Sequence, residues 1–215
     1  MPAEAVPRPV PVDEWRRRDE DLDRRLRGQD LGRVRLAFVG DSIVQGWDPV
    51  TWDLFWGGLS PLNLGLWGDT TGGALWRLGG GQWGPSLRPE VVVVLIGTNN
   101  ANWNSRAEDT ALGIAEIVRL VRARSPSSKV LLLGLLPRGR DAAAPERAVN
   151  AAVSALVRRC ADGRTVFFLD PGAALVGADG RISDQVLFDG LHPTMVGYAI
   201  LGGAIRAEVL RLMGG

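Results

Sequence analysis

The sequence predicts a three-layer α/β/α sandwich built around a parallel sheet. Five short apolar runs alternate with longer stretches of helical periodicity from residue 33 onward. The third run, Val91 to Ile96 (VVVVLI), is apolar at every position, the pattern of a strand covered on both faces. A chain of 215 residues suits one such domain, 1–215, with a single core and neither linker nor internal repeat.

The first strand is expected over Arg33 to Val39 (RVRLAFV), with Gly40 to Ser42 as the turn at its end. A short second strand follows at 61–66 (PLNLGL), a fourth at Val130 to Leu136 and a fifth at Thr165 to Leu169. Helices are expected near 48–57, 70–82, 106–124 and 145–161, with a last one near 194–212. Ser105 and Glu108 have the spacing of a capping box ahead of the apolar positions Leu112, Ala115, Val118 and Val121. Residues 1–30 form an N-terminal extension to a core at 33–212. Within it, 13–27 (DEWRRRDEDLDRRLR) carries six acids and six bases, with Trp15, Leu22 and Leu26 near one helical face. This reads as a solvated helix docked by a narrow stripe, and its balanced charge argues against a nucleic-acid-binding arm.

Composition removes several classes of function. Cys160 has no partner for an internal disulfide, and His192 has no second imidazole or thiol cluster with which to hold zinc, so no metal is expected. A net charge of +1 gives no general attraction to nucleic acid or anionic membrane. Met1 to Val12 has no apolar signal region, and no run approaches the roughly 18 apolar residues of a membrane span, so a cytoplasmic protein is expected.

Ligands of open parallel sheets bind beyond the carboxyl ends of the strands. The loops there carry Gly40-Asp41-Ser42, Gly65-Leu66-Trp67-Gly68-Asp69 and Gly97-Thr98-Asn99-Asn100. Ser42, at a strand-to-helix turn, has the exposed hydroxyl of a nucleophile but needs a base. The single histidine lies in Asp189-Gly190-Leu191-His192, where an i, i+3 spacing brings a carboxylate to Nδ1–H and leaves Nε2 for the serine. Backbone N–H groups of Ser42 and Gly68 and the Asn99 amide are candidate donors to an oxyanion. These parts require no cofactor. Asp41 and Asp69 are read as exposed loop carboxylates acting as caps and loop acceptors, and Asn100 as loop support. No GxGxxG or GxxxxGK[ST] pattern follows the first strand, which disfavours a nucleotide or flavin phosphate. Seven of the eight tryptophans fall between Trp47 and Trp103. Trp52, Trp56 and Trp76 are expected to pack helix on sheet, and Trp47, Trp67 and Trp103 to ring the mouth of the site.

The blocks GDS at 40–42, GD at 68–69 after NLGLW, GTNN at 97–100 and DGLH at 189–192 resemble, in order, those of the SGNH (GDSL) hydrolase superfamily. Within it, FVGDSIVQ, LNLGLWGDTTGGALWRL, VVVVLIGTNN, LLLGLLPRG and FDGLH are similar to the catalytic subunits of intracellular platelet-activating factor acetylhydrolase, a likeness running over about 33–212. The resemblance implies a flavodoxin-like five-stranded sheet and a catalytic triad of Ser42, Asp189 and His192, with an oxyanion hole from Ser42, Gly68 and Asn99. It also implies a small acyl pocket bounded by Ile43, Thr98 and Leu191, hence a short-chain, acetyl-type esterase, and a homodimer. Trp67 stands where those relatives have glycine, and with Trp103 it is expected to contact substrate. An acetylated lipid or sugar is the expected ligand. The rival readings are a carbohydrate acetylesterase, a lysophospholipase or thioesterase, and a catalytically silent scaffold on the same fold.

Overall fold

The computed structural model describes residues 1–214. Its sheet has five strands, β1 (Leu36–Gly40), β2 (Pro61–Gly65), β3 (Val91–Leu95), β4 (Lys129–Leu133) and β5 (Val166–Leu169). All pair in parallel in the order β2-β1-β3-β4-β5. This is the flavodoxin-like winding, whose direction reverses between β1 and β3 and opens a crevice there. Val91 to Val94 are fully buried, as an all-apolar run of β-branched residues demands. β1 begins three residues later than the pattern suggests, because the Asp30 carboxylate accepts from Gly32 N–H and holds Leu31–Arg33 in a 3₁₀ turn.

The helices are α1 (Asp13–Arg27), α2 (Ser42–Gln45), α3 (Pro49–Trp56), α4 (Thr71–Arg77), α5 (Ala107–Arg124), α6 (Pro145–Val157) and α7 (Met195–Gly214). Among the described residues, no helix is long and apolar enough to cross a membrane. α5 corrects two expectations. It starts with Arg106 as N-cap and no side-chain cap, since the Ser105 hydroxyl is drawn 2.6 Å to the Glu4 carboxylate. Its buried face runs through Thr110, Gly113, Ile114, Ile117, Val118 and Val121, leaving Leu112 exposed.

The tryptophans divide differently from expectation. Trp47 does not ring the mouth. Its ring is buried against Phe38 of β1 at 5.6 Å, Trp56 at 5.8 Å and Tyr198 of α7 at 5.2 Å. Trp52 and Trp56 join that cluster. Trp76 is 40% exposed and leans on Trp15 at 5.9 Å instead of packing into the core.

Two glycines at strand ends let α2 sit directly on the sheet. A Cβ at Gly40 would lie 2.2 Å from Val44 Cγ2, and one at Gly65 would lie 2.2 Å from the Gln45 nitrogen. The cap of α2 is Asp41, whose Oδ1 accepts from Ile43 N–H at 3.0 Å. Asp41 is not an exposed loop carboxylate but a buried one, 1% accessible, and burial pushes its carboxyl up to about 7.

A carboxyl raised from 3.8 to about 7 keeps its proton in the native chain over a range where the unfolded chain has released it. Stability is therefore expected to fall as pH rises from about 4 to 7, and Asp19, raised to about 6, adds to the same slope. Asp41→Asn retains the capping oxygen and cannot ionise. Urea midpoints measured from pH 4.5 to 8 are expected to show a shallower decline in this variant, and an unchanged slope would contradict the assignment.

Candidate active site

Ser42 is the first residue of α2, so its N–H has no acceptor within the helix and its hydroxyl faces the crevice beyond β1. Its Oγ lies 2.9 Å from His192 Nε2 across 150 residues of sequence. The other ring nitrogen, Nδ1, is 2.7 Å from Asp189 Oδ2, so an Nδ1–H donated to the carboxylate leaves Nε2 free to accept from the serine. Asp189 Oδ1 also accepts from the backbone N–H of His192 at 2.7 Å and of Leu191 at 2.9 Å. Partial burial works to raise this carboxyl, but the His192 N–H, its ring and the Leu191 N–H outweigh it and hold Asp189 below its ordinary value. It is thus an anion beside the imidazole at neutral pH.

The turn bearing this pair is itself held from behind. Gly190 has φ of +77°, its carbonyl accepts from Gly139 N–H at 2.7 Å, and Arg147 of α6 donates to the carbonyls of Gly139 and Gly180. Thr194 then caps α7 by accepting from Gly197 N–H.

Gly68 and Asn99 line the same cavity as Ser42 and His192. Gly68 has φ of +70° with open space where a Cβ would stand, so backbone conformation and not crowding selects glycine there. The Asn99 amide donates to the Asp69 carbonyl at 3.0 Å, which leaves its second N–H for a ligand. Asn100 supports the loop as expected, accepting from Thr71 N–H at 3.1 Å and donating to Thr71 Oγ1 at 2.8 Å. Asp69, like Asp41, is buried and not exposed. Its carboxylate accepts from Arg77 Nε at 2.8 Å, Trp15 Nε1 at 3.1 Å and Thr70 N–H at 3.1 Å. Burial pushes Asp69 up against the pull of these donors. Arg77 continues to the Gly40 carbonyl and Gln82, and Gln82 to Asp19.

Two cavities of about 350 Å³ each flank Ser42. The first is mainly apolar, walled by Val10, Val12, Trp15, Trp67, Trp103 and Leu191. The second is walled by Arg18, Gln45, Trp67, Phe188, Pro193 and Tyr198. Trp67 and Trp103 are at the mouth as expected, 42% and 48% exposed, with the Arg18 guanidinium 5.1 Å over the Trp67 ring. Ile43 and Thr98 line neither cavity. Ile43 packs into the core, and Thr98 is buried with its hydroxyl accepting from Asn150 at 3.1 Å. Sequence reasoning missed Val10, Val12 and Trp15 as walls. The helical stripe showed Trp15 facing inward, and nothing marked what it would meet. Among the described residues there is no cluster of three or more His, Cys, Asp or Glu able to hold a metal.

The chain is 39% identical over 180 residues to platelet-activating factor acetylhydrolase IB subunit alpha1 of Bos taurus, covering 83% of this chain and 76% of that one. It is 40% identical to the alpha2 subunit of Gallus gallus, with coverage of 83% and 77%. The solved fold of a GDSL-like lipase from Bacteroides thetaiotaomicron superposes with a TM-score of 0.70 at 24% identity, covering 90% of this chain and 97% of that one. The model of the GDSL-like lipase/acylhydrolase family matches residues 38–200, and the chain therefore belongs to that family.

Proposed function

We propose that the protein is a serine ester hydrolase that removes short acyl groups, acetyl first, through an acyl-Ser42 intermediate. The observation that carries this reading is the unbroken chain Ser42 Oγ, His192 Nε2, His192 Nδ1, Asp189 Oδ2, at 2.9 and 2.7 Å. The acetylhydrolase names of the relatives support the acyl class.

In this reading Ser42 Oγ attacks the ester carbonyl carbon as His192 Nε2 takes the hydroxyl proton. The carbonyl oxygen becomes an oxyanion facing Ser42 N–H, Gly68 N–H and the free N–H of Asn99, donors each worth about 3 kcal/mol where such groups have been deleted. Asp189 stabilises the imidazolium and keeps the ring in one tautomer. The imidazolium passes its proton to the alkoxy oxygen, the alcohol departs, and the acyl-serine remains. Water then repeats the sequence in reverse with His192 as base, and the carboxylic acid leaves. Every proton moved is accounted for between Ser42, His192, water and the products.

Ser42→Ala is expected to abolish hydrolysis of p-nitrophenyl acetate and to block labelling by phenylmethylsulfonyl fluoride. Full activity in that variant would overturn the mechanism. Along a C2 to C12 series of nitrophenyl esters, kcat/KM is expected to peak at C2 to C4, and a peak at C8 or beyond would favour a lysophospholipase or thioesterase. Asp189→Asn removes the tautomer control while keeping shape, so its kcat is expected to drop about 10³- to 10⁴-fold with KM little changed.

A further inference from the structure

The family match begins at residue 38, yet the N-terminal segment that precedes it is built into the site. We propose that Trp15 is a positioning residue for the oxyanion donors, acting from α1 through Asp69. This rests on the ester-hydrolase reading above.

Asp69 is the joint between two loops. Its peptide nitrogen is bonded to Gly68, and its carbonyl accepts from the Asn99 amide at 3.0 Å, so the pose of this one residue sets both loop-borne donors. Its carboxylate is what holds that pose. Arg77 and Thr70 grip it from the segment that immediately follows, whereas Trp15 reaches it from 54 residues earlier in the chain. The Trp15 ring is 1% accessible, walls the first cavity, and presents only its Nε1–H to Asp69 Oδ1. A hydrogen bond to a buried carboxylate is worth more than one between neutral groups, and its loss leaves an acceptor without water to replace the donor.

The seat for this contact is cut into the chain. A Cβ at Gly73 would fall 2.2 Å from Asp69 Oδ1, 3.0 Å from Val10 and 3.3 Å from the Trp15 ring. One at Gly113 would fall 2.3 Å from the Glu4 carbonyl and 2.4 Å from Thr71 Oγ1. Glu4 is pinned there twice, its carbonyl accepting from Thr71 Oγ1 at 2.9 Å and its carboxylate from Ser105. Arg8 N–H adds a bond to the Gly72 carbonyl at 3.1 Å. The segment from Glu4 to Trp15 is thus clamped onto the starts of α4 and α5, which follow the loops that carry Gly68 and Asn99, and Trp15 is the side chain by which it grips Asp69.

The test is Trp15→Phe, which keeps an aromatic ring and deletes the donor. On p-nitrophenyl acetate, kcat is expected to fall about tenfold with KM changed less than twofold. Affinity for phenylboronic acid, whose tetrahedral adduct with a serine mimics the oxyanion, is expected to fall by a similar factor. Wild-type kcat and boronate affinity in a folded Trp15→Phe protein would overturn the proposal, as would a loss expressed wholly in KM. If that variant does not fold, Trp76→Ala takes its place. This removes the ring that Trp15 leans on without touching Asp69, and is expected to lower kcat about threefold at constant KM, whereas an unchanged kcat overturns the proposal. If the wild-type protein hydrolyses no ester and binds no boronate, the ester-hydrolase reading fails by itself. Amide hydrogen exchange over residues 66–70 then decides the role of Trp15: faster exchange in Trp15→Phe supports it, and unchanged exchange overturns it.

Discussion

A carboxylate removed from water has to be met by donors or take up a proton, and much of this molecule is arranged around one such group. Asp69 lies between Gly68 and the first turn of α4, wholly buried, with an equally buried arginine 2.8 Å away. Breaking a buried pair by removing one partner typically costs about 3–5 kcal/mol, since the other charge is left uncompensated. Arg77 accordingly spends its remaining donors on the Gly40 carbonyl and on Gln82, which ties the end of β1, the loop after β2 and the inner face of α1 into one polar unit. The Ser42 turn and the Gly68 turn are neighbours because they follow the paired strands β1 and β2, and this unit braces them against each other.

The parts of the fold that are local in sequence were legible. Val91 to Val94 announce a doubly covered strand by composition, and the Asp-x-x-His spacing brings Asp189 onto His192 within one turn. Ser42 was readable because a small polar residue between a strand and a helix has its side chain presented by the turn. What failed depended on partners distant in sequence. Ser105 looks like a helix cap until Glu4, 101 residues earlier, claims its hydroxyl. Trp47 and Trp67 both sit in irregular backbone, where no periodicity indicates direction; one turns into the aromatic core and the other faces the cavities. Asp41 and Asp69 read as loop carboxylates because turn sequences are usually solvated, whereas Asp41 is buried at the cap of α2 and Asp69 is closed over by Trp15 of α1 and Arg77 of α4.

Ile43 and Thr98 show the same limit from the other side. The family resemblance implied that they bound an acyl pocket, yet each side chain is turned away from the cavities beside Ser42. Ile43 points into the core and Thr98 toward Asn150. Three of the walls, Val10, Val12 and Trp15, lie outside the stretch that carries the motifs. A segment of balanced charge and sparse apolar residues gave no reason to place it at the site.

The distance in sequence between Ser42 and His192 governs when the site can exist. The residues of the Ser42 turn, the Gly68 and Asn99 loops and the N-terminal clamp have all been made once the chain has passed residue 113, whereas His192 comes only with the turn that caps α7. Contacts spanning 150 residues are slow to form and impose a large loop-closure entropy. A chain under synthesis therefore carries Ser42 long before the imidazole that completes the proposed triad has been made. In the ester-hydrolase reading, reactivity is in this sense the last property the chain acquires.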